Sequence, residues 1–315
     1  MNRRQLVISS ACFPALPAIT SLSSAPFLSL LSAPAGANPA STRHRDAVQR
    51  LRALEKGPAR LGVCLLDTTT GEFTGTRLEE RFALCSTFKL AMVAACLRDA
   101  DQGLIDLAER VPYGPRDLLE WAPVTREHVA RGGLRIDELA QAAQELSDGT
   151  AANLLVRRLG GPAAVTARWR AMGDPVSRLD RYEPDLGLVL SADERDTTTP
   201  LAMAHLVRRI TTTGELLSTR SRERLLGWMK NTKTGSRRLR AGLPAAWPTG
   251  NKTGTGRAEG TTNKCNDVAV VFPTGRGAVV VAAYYDSGEY TPQIEPRHEA
   301  VLAEVGRIAA SWAIG

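Results

Sequence analysis

The feature of this 315-residue chain that most constrains its fold is where strand-like and helix-like sequence occur. Apolar strand patterns lie near the beginning, at 60–67 and 72–76, and near the end, at 266–272 and 278–285. Between them, over 86–230, apolar residues recur at helical spacing. The arrangement predicts an α+β fold, in which an antiparallel sheet flanked by helices is built from both chain ends and an all-α domain is inserted.

We expect three parts: a signal peptide over 1–37, an α/β domain formed by 38–85 and 231–315, and an all-α domain over 86–230. The first part opens with two consecutive arginines, continues as an apolar, serine-rich run and ends in small residues, as a twin-arginine or general secretory signal does. Prolines interrupt the run, so it is a poor transmembrane helix. The protein is therefore expected to be exported, periplasmic or secreted, with no stable membrane anchor after cleavage.

Charge and aromatic content argue against nucleic acid as a partner. The net charge is +7, but 40 basic residues are interspersed with 33 acidic ones, and only 5% of residues are aromatic. The four histidines, His44, His128, His205 and His298, are far apart and lack metal-ligand spacing, so we expect neither a metal nor another cofactor. Nothing in the sequence requires more than a monomer.

Four cysteines follow the predicted signal. Cys64 lies in a strand pattern and Cys96 in an apolar helix, so both are expected to be small buried hydrophobic residues. Cys85 and Cys265 remain, and they could form a disulfide in an oxidising compartment. Sequence alone does not fix the pairing, so a bridge and two free thiols both stay open.

Ser86 and Lys89 stand at the start of the apolar run 90–97, three residues apart and therefore on one face of a helix. A serine hydroxyl is a poor nucleophile unless a neighbour takes its proton, which a desolvated lysine can do. The start of a helix also offers unpaired N–H groups to a negatively charged intermediate. An N-cap followed by a solvated lysine is the simpler interpretation of this motif alone, but the apolar continuation indicates a turn that faces the interior.

A second hydroxyl, Ser147, lies in a turn before the helix 151–159 and could relay a proton to a leaving group. Ser147 or its neighbour Asp148 could equally cap that helix, and this segment alone favours the cap.

The segment 178–200 reads as a long loop, and loops of this length are usually functional. Arg181 and Asp196 could hold its ends together, and Glu183 could point inward as a general base on water. The alternative is a cluster of surface ion pairs.

Near the end of the chain, Lys252-Thr253-Gly254-Thr255 reads as a strand edge. Its glycine allows close approach of a ligand, and the segment offers a cation, two hydroxyls and backbone N–H groups to an anionic substrate.

These four segments occur in the order S-x-x-K, then S-D-x, then K-T-G, with a glutamate-bearing loop between the last two. Over essentially its whole mature length the chain resembles a class A serine β-lactamase, a member of the penicillin-recognising serine hydrolases. The loop 178–200 resembles the omega loop that distinguishes these hydrolases from penicillin-binding relatives. The resemblance implies hydrolysis of the β-lactam amide bond through a serine acyl-enzyme, and hence antibiotic resistance.

The resemblance also implies a role for each matching residue. Ser86 would be the nucleophile, Lys89 would assist its deprotonation, and Ser147 would pass a proton to the departing ring nitrogen. Glu183 would activate the water that hydrolyses the acyl-enzyme, and either Lys89 or Glu183 would be the base for acylation. Trp121 would line the mouth of the cleft.

Substrate binding would fall mainly to the K-T-G segment. Lys252, Thr253 and Thr255 would bind the substrate carboxylate, with Gly254 allowing the approach. The backbone N–H groups of Ser86 and Thr255 would form the oxyanion hole.

The chain departs from the family pattern at several positions. Gly149 replaces the asparagine of S-D-N that grips the substrate side-chain carbonyl, and Gly187 replaces an asparagine that shares the deacylating water. An arginine usual on the returning strand is absent, and Arg238 resembles its substitute, although Arg237 or Arg240 would suit a shifted register.

Cys85 precedes the nucleophile, as in some carbapenem-hydrolysing members. Their partner cysteine is replaced here by Gly256, so a bridge would have to use Cys265 or be absent.

Two other functions would fit parts of this pattern. A D-alanyl-D-alanine peptidase would not need Glu183 and its loop as a second base. A penicillin-binding sensor, acylated without turnover, would need a membrane span and a partner domain, and none is apparent after residue 37.

Overall fold

The computed structural model describes residues 39–190 and 192–314, with side chains from residue 42 onward, so the predicted signal peptide lies outside the described residues. The strands are β1 (Arg60–Asp67), β2 (Phe73–Thr76), β3 (Phe82–Ala83), β4 (Arg110–Pro112), β5 (Gly133–Arg135), β6 (Thr197–Thr198), β7 (Thr249–Gly256), β8 (Lys264–Val271) and β9 (Val279–Asp286). The helices are α1 (Pro39–Arg52), α2 (Phe88–Asp101), α3 (Pro123–Glu127), α4 (Ile136–Glu145), α5 (Gly149–Arg158), α6 (Pro162–Ala171), α7 (Pro200–Thr211), α8 (Thr219–Lys230), α9 (Leu239–Gly242) and α10 (Pro296–Ile314).

The main sheet joins the two ends of the chain, as predicted. Its strand order is β2-β1-β9-β8-β7, and each neighbouring pair is antiparallel. Two shorter pairings, β3 with β6 and β4 with β5, lie outside it. The predicted α+β fold is therefore confirmed, and β7 forms one edge of the main sheet.

Both faces of the sheet are covered. On β9, Val279 and Val281 pack in the core that contains Trp312 of α10, whereas Val280 and Ala282 pack in the core of the helical layer. Successive side chains of a strand point to opposite faces. Burial on both faces explains why β8 and β9 read as continuous apolar runs rather than as an alternating pattern.

Helix α2 is the centre of the helical layer. All ten residues from Phe88 to Leu97 are buried, and α2 contacts α4, α5, α6, α7 and α8. A helix buried on all sides fixes the turn that precedes it, and that turn carries Ser86. The described residues from 39 onward belong to one compact unit. The boundaries of a separate all-α domain over 86–230 stay a prediction.

Across the described ranges, no helix combines the length and the apolar character needed to cross a membrane.

Candidate active site

The site is centred on Ser86, which lies in a single 3₁₀ turn, Cys85–Thr87, directly before α2. Lys89 follows one turn later, is buried, and donates a hydrogen bond from Nζ to Ser86 Oγ at 2.9 Å. The helix spacing predicted from the sequence thus produces direct contact between the two side chains.

Glu183 reaches the same atoms from the loop 178–200. Its Oε1 lies 2.9 Å from Lys89 Nζ, and it accepts a hydrogen bond from Ser86 Oγ at 3.3 Å. The ion pair is largely buried, with side-chain exposures of 2% for Lys89 and 16% for Glu183, so solvent screens it little. Both candidate bases therefore contact the serine hydroxyl.

Ser147 completes the central cluster from the turn between α4 and α5. Its backbone is left-handed, with φ of 59°, and Lys89 Nζ donates to its carbonyl at 3.0 Å. Lys252 Nζ donates to its Oγ at 3.0 Å. The capping alternative applies to its neighbour: Asp148 accepts from Ala151 N at 2.8 Å and caps α5, which leaves Ser147 to face the two lysines.

Lys252 is fully buried, and its second hydrogen bond goes to Thr253 O at 2.9 Å. Burial, and next the charge of Lys89, lower its pKa well below the ordinary value. The amino groups of Lys89 and Lys252 flank one hydroxyl, and a bound anion would favour their protonated forms.

The backbone of β7 turns alternate residues toward the cleft. The carbonyl oxygen of Asn251 accepts a hydrogen bond from Gln144 Nε2, and that of Thr253 accepts one from Lys252 Nζ. The backbone carbonyls of these two residues therefore point away from β8. In an antiparallel strand the N–H and C=O of one residue point the same way. Thr255 therefore directs its N–H toward the cleft, where the predicted oxyanion hole requires it. Gly254 packs against the nucleophile turn: a Cβ there would lie 2.9 Å from Leu84 O.

The loop that carries Glu183 is held at both ends. Arg181 Nε donates to Asp196 Oδ2 at 2.6 Å, and Asp196 is fully buried. Asp196 Oδ1 also accepts from the backbone N–H groups of Asp180 and Arg181, at 2.7 and 3.0 Å. This geometry is the clamp expected from the sequence, not a surface ion-pair cluster.

Asn153 was not predicted. It lies on α5 and holds the backbone of Glu183 in both directions: Nδ2 donates to Glu183 O at 2.9 Å, and Oδ1 accepts from Glu183 N at 3.0 Å. The available signal was a polar side chain on an otherwise apolar helix face, four residues after Gly149.

Trp121 and Gly149 meet at the rim of the site. The Trp121 side chain is largely exposed, and its Nε1 donates to Leu146 O at 2.9 Å. Gly149 N donates to Trp121 O at 2.9 Å, and a Cβ on Gly149 would lie only 3.2 Å from that oxygen. The rim segment thus packs against the position where the family pattern has asparagine.

Three arginines were candidates to replace the arginine that the returning strand lacks. Of these, Arg238 contacts β7. Its Nη1 donates to Gly254 O at 2.9 Å and its Nη2 to Thr255 Oγ1 at 2.8 Å. Arg237 is exposed and pairs with Glu299. Arg240 contacts Asn251, away from the K-T-G hydroxyls.

Of the two possibilities that the sequence left open for Cys85 and Cys265, the structure has two free thiols. Cys265 packs in the core between the sheet and α10, whereas Cys85 packs with Ala83 and Val189 on the other side of the sheet. The main sheet therefore lies between the two sulfur atoms. Burial raises the pKa of the Cys85 thiol to about 12, which makes it unreactive.

Together these contacts form an activated nucleophile: a serine with two candidate proton acceptors, a second hydroxyl between two lysine amino groups, and N–H groups for an oxyanion. The arrangement suits acyl transfer by a serine hydrolase whose substrate carries a negative charge.

Comparisons with known proteins agree with this class. A sequence model of the Beta-lactamase enzyme family matches residues 44–313. The chain is 43% identical to Beta-lactamase CTX-M-25 of Escherichia coli, over 86% of this chain and 90% of that protein. It is 42% identical to Beta-lactamase L2 of Stenotrophomonas maltophilia, over 98% of this chain and 97% of that protein. The solved structure of an ancestral class A β-lactamase, reconstructed for Gram-negative bacteria, superposes with a TM-score of 0.78 at 48% identity, covering 83% of this chain and 98% of that one.

The chain belongs to the class A β-lactamase family, which confirms the resemblance drawn from its motifs.

Proposed function

We propose that this chain hydrolyses β-lactam antibiotics through an acyl-enzyme on Ser86, and so confers resistance to them. The observation that carries the proposal is the double contact of Ser86 Oγ, with Lys89 Nζ at 2.9 Å and Glu183 Oε1 at 3.3 Å. A hydroxyl that touches both an ammonium and a carboxylate has a proton acceptor at hand and a cation to stabilise the alkoxide that develops.

In acylation, Ser86 Oγ attacks the β-lactam carbonyl carbon while its proton passes to Glu183, or to Lys89 once Lys89 has given its own proton to Glu183. The N–H groups of Ser86 and Thr255 bind the oxyanion. The C–N bond then breaks, and Ser147 donates its proton to the ring nitrogen. The proton taken from Ser86 returns to Ser147 Oγ through Lys89, which lies 2.9 Å from Glu183 Oε1 and 3.4 Å from Ser147 Oγ. Lys252, 3.0 Å from Ser147 Oγ, supports that transfer and attracts the substrate carboxylate.

In deacylation, Glu183 takes a proton from a water molecule as that water attacks the ester carbonyl. The bond to Ser86 Oγ breaks, and the oxygen recovers its proton. Asn153 and the Arg181–Asp196 pair hold the Glu183 backbone in place, through the hydrogen bonds described above. Gly187 contributes no side chain to this water, which leaves Glu183 as its main partner.

The test is turnover of a chromogenic cephalosporin by the mature chain, with Ser86→Ala and Glu183→Gln beside it. Ser86→Ala should abolish turnover, and Glu183→Gln should form an acyl-enzyme that intact-mass spectrometry detects and that persists. Glu194→Gln is the matched control, because Glu194 lies in the same loop with a side chain 62% exposed. Turnover that survives in Ser86→Ala would refute the proposal.

We propose that the enzyme acts outside the cytoplasm as a monomer. The composition of residues 1–37 supports export. A fusion of this segment to a reporter that folds only after export should be active, and the mature chain should elute from a sizing column at a monomer mass. An inactive fusion or a dimer mass would contradict the respective part.

A further inference from the structure

The segment that leads into the nucleophile turn has a hydrogen-bonding partner on the main sheet that takes no part in the steps above. Asn266 lies on β8, and only 2% of its surface is exposed. Its Nδ2 donates to Ala83 O at 2.9 Å, and Leu84 O lies 3.5 Å from the same nitrogen. Its Oδ1 accepts from Tyr285 N at 3.3 Å, so the amide group is fixed at both ends. The two carbonyl groups that it holds directly precede the turn Cys85–Thr87.

The side chain of Asn266 points to the face of the sheet on which that turn lies. Val268 and Val270, two and four residues further along β8, pack in the core of the helical layer, whereas Cys265 packs in the core on the other side. Successive side chains alternate between the two faces of a strand. The residue opposite Asn266 on β7 is Gly254, which has no side chain to come between the sheet and the turn.

The turn packs closely against β7. A Cβ on Gly254 would lie 2.9 Å from Leu84 O and 3.2 Å from Cys85 Cβ, so a larger residue would push the turn away from the strand. Gly256 has a similar relation to the turn, because a Cβ there would lie 3.1 Å from Cys85 Sγ. Cys85 therefore packs against the two glycines on either side of Thr255.

This packing brings together the two N–H groups of the oxyanion hole. One belongs to Ser86, directly after Cys85, and the other to Thr255, between the two glycines. Van der Waals contact sets how close the turn lies to the strand. The hydrogen bond from Asn266 is directional, so it also sets where along the strand the turn lies.

The conformation of the turn requires such support. Cys85 has a left-handed backbone, with φ of 42°, which a residue that carries a Cβ keeps only when its surroundings hold it. Leu84 N donates to Asp196 O at 2.8 Å, and Leu84 O accepts from Thr87 Oγ1 at 2.6 Å. The first bond fastens the turn to the end of the long loop, and the second closes the turn on itself. The bond from Asn266 fastens it to the main sheet.

We propose that Asn266 is a positioning residue for the oxyanion hole: it holds the nucleophile turn against β7 so that the N–H groups of Ser86 and Thr255 point at the same oxygen. This inference rests on the function proposed above. An oxyanion hole binds the oxygen more strongly as negative charge develops on it than in the ground state. Loss of the Asn266 side chain should therefore slow both chemical steps and leave the binding of intact substrate unchanged.

The direct test is infrared difference spectroscopy of the acyl-enzyme that accumulates in Glu183→Gln. Hydrogen bonds from the oxyanion hole polarise the ester carbonyl and lower its stretching frequency. Adding Asn266→Ala should move this band to higher frequency or split it in two, because one donor no longer faces the oxygen in every molecule. A band that keeps its position and width overturns the inference.

Asn263→Ala is the matched control for this measurement. Asn263 is also fully buried, and its Nδ2 also donates to a backbone carbonyl, Thr291 O at 3.0 Å, but its side chain contacts Thr291 and Gln293 rather than the nucleophile turn. The two substitutions remove the same side chain and similar hydrogen bonds, so Asn263→Ala should leave the carbonyl band unchanged. The same shift in both variants would mean a general loosening of the structure and would overturn the inference.

Kinetics supply an independent readout. Removal of one oxyanion donor costs about 100-fold or more in kcat, so a displaced donor should cost Asn266→Ala about tenfold. In Ser86→Ala, where no acyl-enzyme can form, adding Asn266→Ala should change the Kd of an intact cephalosporin by less than about twofold. A Kd that rises as much as kcat falls would overturn the inference.

A second variant covers the case in which Asn266→Ala does not fold. Asn266→Ser keeps a polar side chain, but its hydroxyl is one bond closer to the strand and does not reach Ala83 O, so the carbonyl band should again shift to higher frequency. An unshifted band in this variant overturns the inference. Failure of Glu183→Gln to form any acyl-enzyme would refute the proposed function and this inference with it. A persistent acyl-enzyme whose band does not respond to Asn266 would remove this inference alone.

Discussion

Asp267→Asn should make the protein more stable at neutral pH, because it removes a charge that folding buries on β8. The ordinary pKa of the carboxyl is 3.8, and burial raises it to about 6 in the folded protein. The folded state therefore binds this proton more tightly than the unfolded state does. The resulting contribution to the free energy of unfolding is fully present below pH 3.8 and is lost as the pH rises through about 6.

The size of the effect follows from these two values. A tenfold change in proton affinity is worth about 1.4 kcal/mol, so the difference between 3.8 and about 6 corresponds to about 3 kcal/mol. The amide of asparagine stays neutral at every pH but offers a poorer partner to Leu239 N, which donates to Asp267 Oδ2 at 3.3 Å, at a cost of about 1 kcal/mol. The variant should therefore be about 2 kcal/mol more stable than the wild type at pH 7.5 and about 1 kcal/mol less stable near pH 4.

Urea denaturation of both proteins at pH 4, 5, 6 and 7.5 measures this difference. Glu259→Gln, at an exposed position, lowers the acidic count equally and serves as the control for overall charge. A difference between Asp267→Asn and the wild type that stays constant from pH 4 to pH 7.5 would refute the reasoning, since a constant difference cannot come from a group that titrates within that range.

Three further outcomes follow from the geometry of the site. Gly256→Cys should form a disulfide with Cys85, because a Cβ at 256 lies 3.1 Å from Cys85 Sγ, close to the Cβ–Sγ separation of about 3 Å across a disulfide bond. Thiol counting before and after reduction tests this, and free thiols at both 85 and 256 after oxidation would contradict it. Gly187→Asn should raise the rate of deacylation several-fold, because a Cβ at 187 meets no atom within 4 Å and an amide there has room to hold the water beside Glu183; pre-steady-state kinetics separate the two steps, with Gly187→Ala as the control. Arg238→Ala should raise KM for anionic substrates about tenfold with a smaller effect on kcat, because it removes the donors to Gly254 O and Thr255 Oγ1; equal changes in both constants would argue for a general loss of structure.

The parts of the molecule that the sequence predicted are those governed by local pattern. The buried strands around 266–272 and 278–285 and the helix after Ser86 show as apolar runs, and the structure has β8, β9 and α2 there. The contact of Ser86 with Lys89 follows from helical spacing alone. The clamp between Arg181 and Asp196 followed from the length of the loop and the position of its charges.

The remaining contacts depend on which distant segments meet. Asn153, Asn251 and Asp267 are ordinary polar residues in the sequence, and only tertiary packing buries them. The sequence left a bridge between Cys85 and Cys265 open for a similar reason. Which face of β8 a residue occupies depends on the register with β7, and that register is set by the length of the connecting hairpin, which the sequence pattern does not reveal.

Several energetically costly features of this chain lie at the site, and this has a consequence for its stability. Cys85 and Ser147 are held in left-handed backbone, with φ of 42° and 59°, at a cost of about 1–3 kcal/mol each. Lys89 and Lys252 bury charges that would be better solvated in the unfolded chain. Substitutions that relieve these costs should therefore stabilise the fold and reduce turnover together.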